Sequence, residues 1–193
     1  ISRLIAAEIP DDAGNLRQLD DIEICGFATL LGGAGAETVT KLMGTAVVNF
    51  ARFPDQWRKL LDDRSKIPAA VEEMLRYESS VQLDARTALE DAEVAGHRVE
   101  AGQVVLTLLG AANRDPHRYV DPDRFDVGRT GQQHLSFAAG IHYCLGAPLA
   151  RLEGEIVFDR LLDRFATLDA DPTPKWRPSL TLRGLETLPV SVS

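Results

Sequence analysis

The chain has 193 residues, of which 45% are hydrophobic and 26% charged, with a formal net charge of −8 and a pI near 5.0. This is a globular composition with room for one sizeable core; the acidic balance argues against a general nucleic-acid binder, and no apolar run in this segment is long enough to span a membrane. Two cysteines, Cys25 and Cys144, make no disulfide framework, which fits a reducing compartment.

Residues 1–8 place Ile1, Leu4 and Ile5 on one helical face and read as the last two turns of an amphipathic helix. A chain that opens inside a helix is expected to be a piece of a longer one. Residues 9–18 hold Pro10, Asp11, Asp12, Gly14 and Asn15, a loop by turn chemistry. Asp20 is an N-cap candidate with Glu23 as its capping-box partner. No proline follows until residue 54, so residues 21–52 read as one helix, roughly 45–50 Å long at 1.5 Å per residue. It is apolar on more than one face (Ile22, Phe27, Leu30, Leu31, Leu42, Phe50) and is expected to run through the middle of the protein. Gly32, Gly33 and Gly35 weaken it, each costing roughly 1 kcal/mol against alanine, and Glu37 and Thr38 follow directly. Two readings stand: a helix crossing that needs small residues, or a turn where something approaches the backbone or the ladder opens.

Pro54 and Pro68 each suit the first turn of a further helix, to about residue 64 and to residue 77. Glu73 and Arg76 on the second share a face at i, i+3; alone, that reads as a surface ion pair. Strands are expected over 81–89, which carries Arg86, and over 93–97 and 103–109. Residues 113–116 look like a capped helix start, and 119–133 like a long irregular connection of the kind that is usually functional. Residues 137–146 form an apolar loop punctuated by Gly140 and Gly146, and a helical pattern runs from 147 to about 165. The tail holds Pro172, Pro174 and Pro178, then short strands at 179–183 and 188–191.

The loop carries one cysteine, Cys144, immediately before a helix. Unpaired backbone N–H groups and the positive end of a helix dipole there suit a thiolate. A nucleophile needs a base, and His142 is too close along the chain for an ordinary Cys–His pair. Zinc needs several ligands in a spacing this sequence lacks. A thiolate on an iron porphyrin needs one protein ligand, glycines for close approach and a dry loop, and suits the pattern best. A buried structural cysteine is the remaining alternative.

Phe137, Gly140, His142, Cys144 and Gly146, continuing to Leu149-Ala150-Arg151, match every named position of F-x-x-G-x-H-x-C-x-G. The loop therefore resembles the haem-binding signature of the cytochrome P450 family. Three further stretches match in the family's order. Ala34-Gly35-Ala36-Glu37-Thr38 resembles the oxygen-activation segment of its long central I helix, Glu73-Met74-Leu75-Arg76 the E-x-x-R of its K helix, and Pro122-Asp123-Arg124-Phe125 the P-x-R-F of its meander.

The resemblance implies a mainly α fold with small β-sheets: the C-terminal portion of the P450 fold, with I helix, K helix, meander, Cys loop and L helix. It covers residues 1–193 as a single partial domain, without the N-terminal half. It implies haem b (iron protoporphyrin IX) with Cys144 as axial ligand, Phe137 and Gly146 beside the sulfur, His142 and Arg86 on the propionates, and Ala34 and Gly35 against the porphyrin plane. Thr38 and Glu37 would deliver protons to dioxygen, with Gly35 opening the helix locally. Glu73, Arg76 and Arg124 would form a structural charge network. Leu30, Gly33, Val81, Gln82, Leu83 and Leu182 would touch a lipophilic or moderately polar organic substrate. The implied activity is monooxygenation of that substrate with O2, using electrons from a ferredoxin-type donor in the cytoplasm. Arg58, Arg64, Arg118, Arg129 and Arg151 would offer the donor a basic patch. The alternative is a truncated module that binds haem without monooxygenase activity.

Overall fold

A computed structural model of the chain describes every residue except Gln132 and Pro172, so the expected tail proline at 172 lies outside the described residues. The chain divides into two compact units, Ile1–Glu37 and Thr38–Ser193.

The first unit holds a one-turn helix α1 (Ser2–Ile5), strands β1 (Glu8–Pro10) and β2 (Leu16–Gln18), and the start of helix α2 (Asp21–Arg52). The opening helix is thus one turn rather than two. The stretch expected to be a loop is a hairpin, with Ile9 opposite Arg17. Its turn is built by Asp11, whose Oδ1 accepts from the Ala13 and Asn15 amides at 2.9 and 2.7 Å, while Gly14 supplies a φ of +82°. Strands of three residues are too short to show alternation in sequence. The capping box forms as expected: Asp20 Oδ1 accepts from Glu23 N at 2.8 Å, and Glu23 Oε2 accepts from Asp20 N at 2.9 Å. Arg17 also grips the Glu23 carboxylate, and these bonds hold its pKa down at about 2.

Helix α2 is α-helical throughout, glycines included. Burial along it is uneven. Ile22, Phe27, Leu30 and Leu31 are exposed, whereas Leu42, Ala46, Val48 and Phe50 are buried. The second half of α2 lies in the core, while in this segment much of its first half is exposed. A Cβ added at Gly32, Gly33 or Gly35 would meet no described atom within 4 Å, so packing among the described residues does not explain these glycines.

The second unit continues α2 into α3 (Pro54–Asp62), a 3₁₀ turn at Arg64–Lys66, and α4 (Ile67–Tyr77). Then come β3 (Asp84–Thr87), β4 (Ala92–Val94), β5 (His97–Val99), β6 (Val104–Thr107) and α5 (Leu109–Ala112). Helix α6 (Ala147–Arg164), β7 (Leu168–Ala170) and β8 (Val190–Val192) complete it. The sheets are antiparallel pairs, β3 with β6, β4 with β5 and β7 with β8.

Several expected strands differ. The strand over 81–89 shortens to β3, preceded by a bridge from Val81 to Leu182. The strand over 93–97 is a hairpin, because Ala95 and Gly96 both take positive φ (51° and 80°) and turn the chain. The helix near 113 ends there rather than starting: Asn113 is the C-cap of α5. Strand β7 was not expected, and of the strand over 179–183 only the bridge at Leu182 forms. Irregular backbone covers 119–131, as the turn formers there require.

The core lies where α2, α3, α4 and α6 converge. Phe50 is at its centre, with ring centroids 5.0 Å from Trp57, 5.7 Å from Phe125 and 5.3 Å from Phe158. Burying such a ring contributes roughly 1.5–3 kcal/mol. Helices α4 and α6 pack closely because residue 154 is glycine; a Cβ there would meet Val71 Cγ1 at 3.0 Å. This contact fixes α6, and with it the loop at its N-terminus.

Candidate functional site

The loop before α6 is held by backbone bonds: Cys144 N donates to Phe137 O at 2.9 Å, Ala138 N to Leu135 O at 2.8 Å, and Tyr143 N to Gly140 O at 3.1 Å. Ala138 and Gly140 take φ of 56° and 66°. For Ala138 that left-handed conformation costs about 1–2 kcal/mol, a strain tolerated where the loop's shape matters. Cys144 is exposed, and α6 starts three residues later with no side-chain cap. The positive end of the helix therefore faces the loop without a neutralising side chain. A Cβ on Gly146 would sit 3.9 Å from Cys144 Sγ, an ordinary van der Waals contact. Ile141 and Leu145 are exposed beside it, while Phe137 is buried.

Below the loop, α4 carries a buried charge cluster. Arg76 Nε donates to Glu73 Oε2 at 2.7 Å, with both side chains almost wholly buried. Arg76 Nη1 donates to the carbonyls of Asn113 and Pro122 at 2.8 and 2.9 Å. The surface-pair reading of E-x-x-R is thus overturned. The expected third member, Arg124, is a correction: its side chain is exposed, 3.7 Å from Asp126, and only its carbonyl joins the cluster. Arg129 takes that place, with Nε 3.2 Å from Glu73. A guanidinium can enter from any loop that passes the glutamate, so the P-x-R-F pattern could not decide which arginine does.

Two groups escaped the sequence reading. Asn113 Nδ2 donates to Ser79 Oγ and Ser136 Oγ at 2.8 and 2.9 Å, and its Oδ1 accepts from Leu135 N at 2.7 Å, tying the loop's entry to the end of α4. Glu72, next to Glu73, is gripped by Arg151 at 2.6 and 3.2 Å and lies 3.2 Å from buried His134. Burial raises the Glu72 pKa, but His134 and Arg151 outweigh it and hold the carboxyl down at about 2. The E-x-x-R motif hides this residue because it draws attention to the next glutamate.

The other expected residues are placed as follows. His142 is exposed on a 3₁₀ turn, Gly140–His142. Arg86 sits on β3, donating to Ala85 O and standing 3.8 Å from Asp84, a weak pairing that leaves much of the guanidinium accessible. The Thr38 carbonyl accepts from Ser80 Oγ at 2.9 Å, which draws it beside Val81 and its bridge partner Leu182. Gln82 N donates to Thr181 O at 2.8 Å, and its side chain covers Gly110; Leu83 is half-buried. Leu30, Gly33, Ala34, Gly35 and Glu37 lie in the first unit, exposed along α2. The basic patch is depleted by pairing. Arg64 is 2.9 Å from Asp159 and 2.8 Å from Asp163, and Arg129 and Arg151 are engaged as described.

A haem would need a single accessible sulfur, small residues around it and apolar surroundings. Cys144, Gly140, Gly146 and the exposed Ile141 and Leu145 fit that group. A lone thiol on a strained, glycine-flanked loop at a helix N-terminus suits a thiolate ligand to haem. The sequence profile described as Cytochrome P450 matches residues 1–189. The chain belongs to the cytochrome P450 family.

Among similar proteins is "Polyketide biosynthesis cytochrome P450 PksS" of Bacillus subtilis, 41% identical over all of this chain and 47% of the relative. Its solved structure superposes with a TM-score of 0.91 at 40% identity, over 100% of this chain and 49% of that one. "6-deoxyerythronolide B hydroxylase" of Saccharopolyspora erythraea is 42% identical over 98% of this chain and 47% of its own length. CYP109E1 of Bacillus megaterium, solved in complex with testosterone, gives a TM-score of 0.85 at 38% identity over 90% of this chain and 49% of that one. The chain spans about half the length of the relatives it matches, and the fold is that portion of a P450: helix-rich, with small sheets. Among the described residues no helix is long and apolar enough to cross a membrane.

Proposed function

We propose that this chain is part of a haem-thiolate monooxygenase that inserts one oxygen atom of O2 into an organic substrate and reduces the other to water, with two electrons and two protons. The observation that carries the reading is the exposed Cys144 in its glycine-flanked loop at the uncapped start of α6. When bound, haem b would supply the redox chemistry, and a thiolate ligand favours O–O cleavage.

The chain's own residues hold and protonate. The Cys144 sulfur would hold the haem iron, with Phe137 packed beneath the loop and Gly146 beside the sulfur. His142 and the accessible Arg86 guanidinium would hold the propionates, for which a guanidinium is a natural partner. Ala34 and Gly35 would offer the haem a surface of small side chains on α2. Thr38 and Glu37 would relay protons to the oxygen being reduced, an alcohol and an acid one residue apart on α2. The Ser80 bond fixes the Thr38 backbone and so the starting point of that hydroxyl. Val81, Gln82, Leu83 and Leu182, with Leu30 and Gly33, would contact the substrate. Their mainly apolar character supports a lipophilic molecule, and a hydroxylase of 6-deoxyerythronolide B and a testosterone-bound P450 among the relatives support the same class. A ferredoxin-type protein in the cytoplasm would supply the electrons.

The test uses the full-length protein. The reduced, carbon-monoxide-bound spectrum should show thiolate ligation, and Cys144→Ala should abolish it. Thr38→Ala should keep that spectrum while oxygen consumption uncouples from product. An unchanged spectrum in Cys144→Ala refutes the ligand assignment, and unchanged coupling in Thr38→Ala refutes the relay. A thiolate spectrum with no turnover of any lipophilic substrate would favour a haem-binding module instead.

A further inference from the structure

Beneath the cysteine loop one guanidinium touches both of its ends. Arg151, on the second turn of α6, places its Cζ over the Phe137 ring, 4.7 Å from the centroid. Its Nη1 donates to the Tyr143 hydroxyl at 3.1 Å. Phe137 opens the loop and Tyr143 immediately precedes the sulfur-bearing residue, and the two rings stand edge to face at 6.3 Å. Arg151 is itself held from another helix: Nε and Nη2 donate to Glu72 Oε1 and Oε2 of α4, at 2.6 and 3.2 Å. His134 closes the group. Its buried ring lies 5.6 Å from that of Phe137, its Nδ1 accepts from Ser136 N at 3.1 Å, and its Nε2 stands 3.2 Å from Glu72 Oε2.

We propose that Arg151 is a positioning residue for the cysteine ligand, and that Glu72 is the anchor that orients it and balances its charge. The inference rests on the haem-thiolate reading above and concerns what sets the ligand's geometry and potential. The physical basis is the shape of the guanidinium. Its planar fork meets a carboxylate through two parallel bonds while its face stacks on an aromatic ring and a remaining N–H reaches a hydroxyl. An ammonium cannot make all three contacts at once. The loop's backbone includes the left-handed Ala138, which needs its surroundings to hold it, and Phe137 O is the acceptor for the Cys144 amide. Holding the Phe137 ring therefore holds the peptide that bonds the ligand residue. The charge argument is separate. Arg151 places a positive charge beside the loop and Glu72 cancels it, so removing the Glu72 charge alone favours the more electron-rich state of the centre.

The experiment compares full-length wild type, Glu72→Gln, Glu72→Ala and Arg151→Lys, with readouts that need no electron-donor protein. These are the rate at which the thiolate-type carbon-monoxide spectrum converts to the thiol-type one under mild denaturant, the reduction potential by dye titration, and the melting midpoint. Glu72→Gln keeps the volume and should raise the potential. Arg151→Lys keeps the charge and should leave the potential near wild type, while speeding spectral conversion about tenfold, the low end for loss of an outer-sphere partner. Glu72→Ala should do both; if it fails to fold, the two milder variants still decide. Wild-type conversion in Arg151→Lys, or a potential in Glu72→Gln no higher than wild type, overturns the proposal even if the melting midpoints fall, because that is the signature of packing alone. A wild-type protein with no thiolate-type spectrum overturns the haem reading and this proposal together, an outcome distinct from unchanged variants of a normal haem protein.

Discussion

Glu73→Ala should be among the most damaging single substitutions in the chain. Glu73 is buried and holds four partners: Arg76 Nε at 2.7 Å, Arg76 Nη2 at 2.9 Å, the Asp126 amide at 2.9 Å and Arg129 Nε at 3.2 Å. Truncation leaves Arg76, itself almost wholly buried, with a full charge and only carbonyl acceptors from Asn113, Pro122 and Arg124. Breaking a buried pair from one side costs roughly 3–5 kcal/mol, because the remaining charge has lost both water and partner. With a urea slope of about 2 kcal/mol per M, a loss of about 4 kcal/mol lowers the unfolding midpoint by about 2 M. The assay is urea unfolding of the full-length protein followed by circular dichroism. The double variant Glu73→Leu/Arg76→Met removes both charges at similar volume and should lose at least about 1 kcal/mol less than the two single losses summed. A single variant within about 1 kcal/mol of wild type, or strict additivity in the double, would refute the buried-charge argument.

Three further outcomes are expected. Glu72 has a folded-state pKa of about 2 against an ordinary 4.5, so its stabilising contribution is complete above about 4.5 and is lost as pH falls towards about 2. With 43% of its side chain exposed, that contribution is discounted to about 1 kcal/mol; Glu72→Gln should narrow the difference between midpoints at about pH 3 and about pH 7. Gly154→Ala places a methyl against Val71 at 3.0 Å and should cost about 1–3 kcal/mol in thermal unfolding, partly recovered by adding Val71→Ala. Asp20→Ala removes the cap of α2 and should cost about 1 kcal/mol, visible as faster hydrogen exchange at the Glu23 and Ile24 amides with the second half of the helix unchanged.

Much of the helical framework was legible because its signals are local. The absence of proline from 21 to 52, the Asp20–Glu23 box and the prolines at 54 and 68 mark helix ends that the structure reproduces to within a residue or two. The small sheets were less legible. Strands of three or four residues carry too little alternation, so the hairpin of β1 and β2 read as a loop, and the hairpin of β4 and β5 was expected as one strand until positive φ at Ala95 and Gly96 turned it.

For the site, the order of residues along the chain points to the side chains proposed above: a cysteine between glycines before a helix, an acid and an alcohol after a glycine run, and a glutamate three residues from an arginine. These patterns are set by covalent spacing, which any sequence displays. Tertiary structure alone decided how charges pair. Whether Glu73 and Arg76 sit on a surface or in a core, whether Arg124 or Arg129 completes their cluster, and that Arg151 and Glu72 brace the cysteine loop from two helices all depend on distances between segments many residues apart. Electrostatic energy follows separation and burial in space, and neither is written in the spacing along the chain.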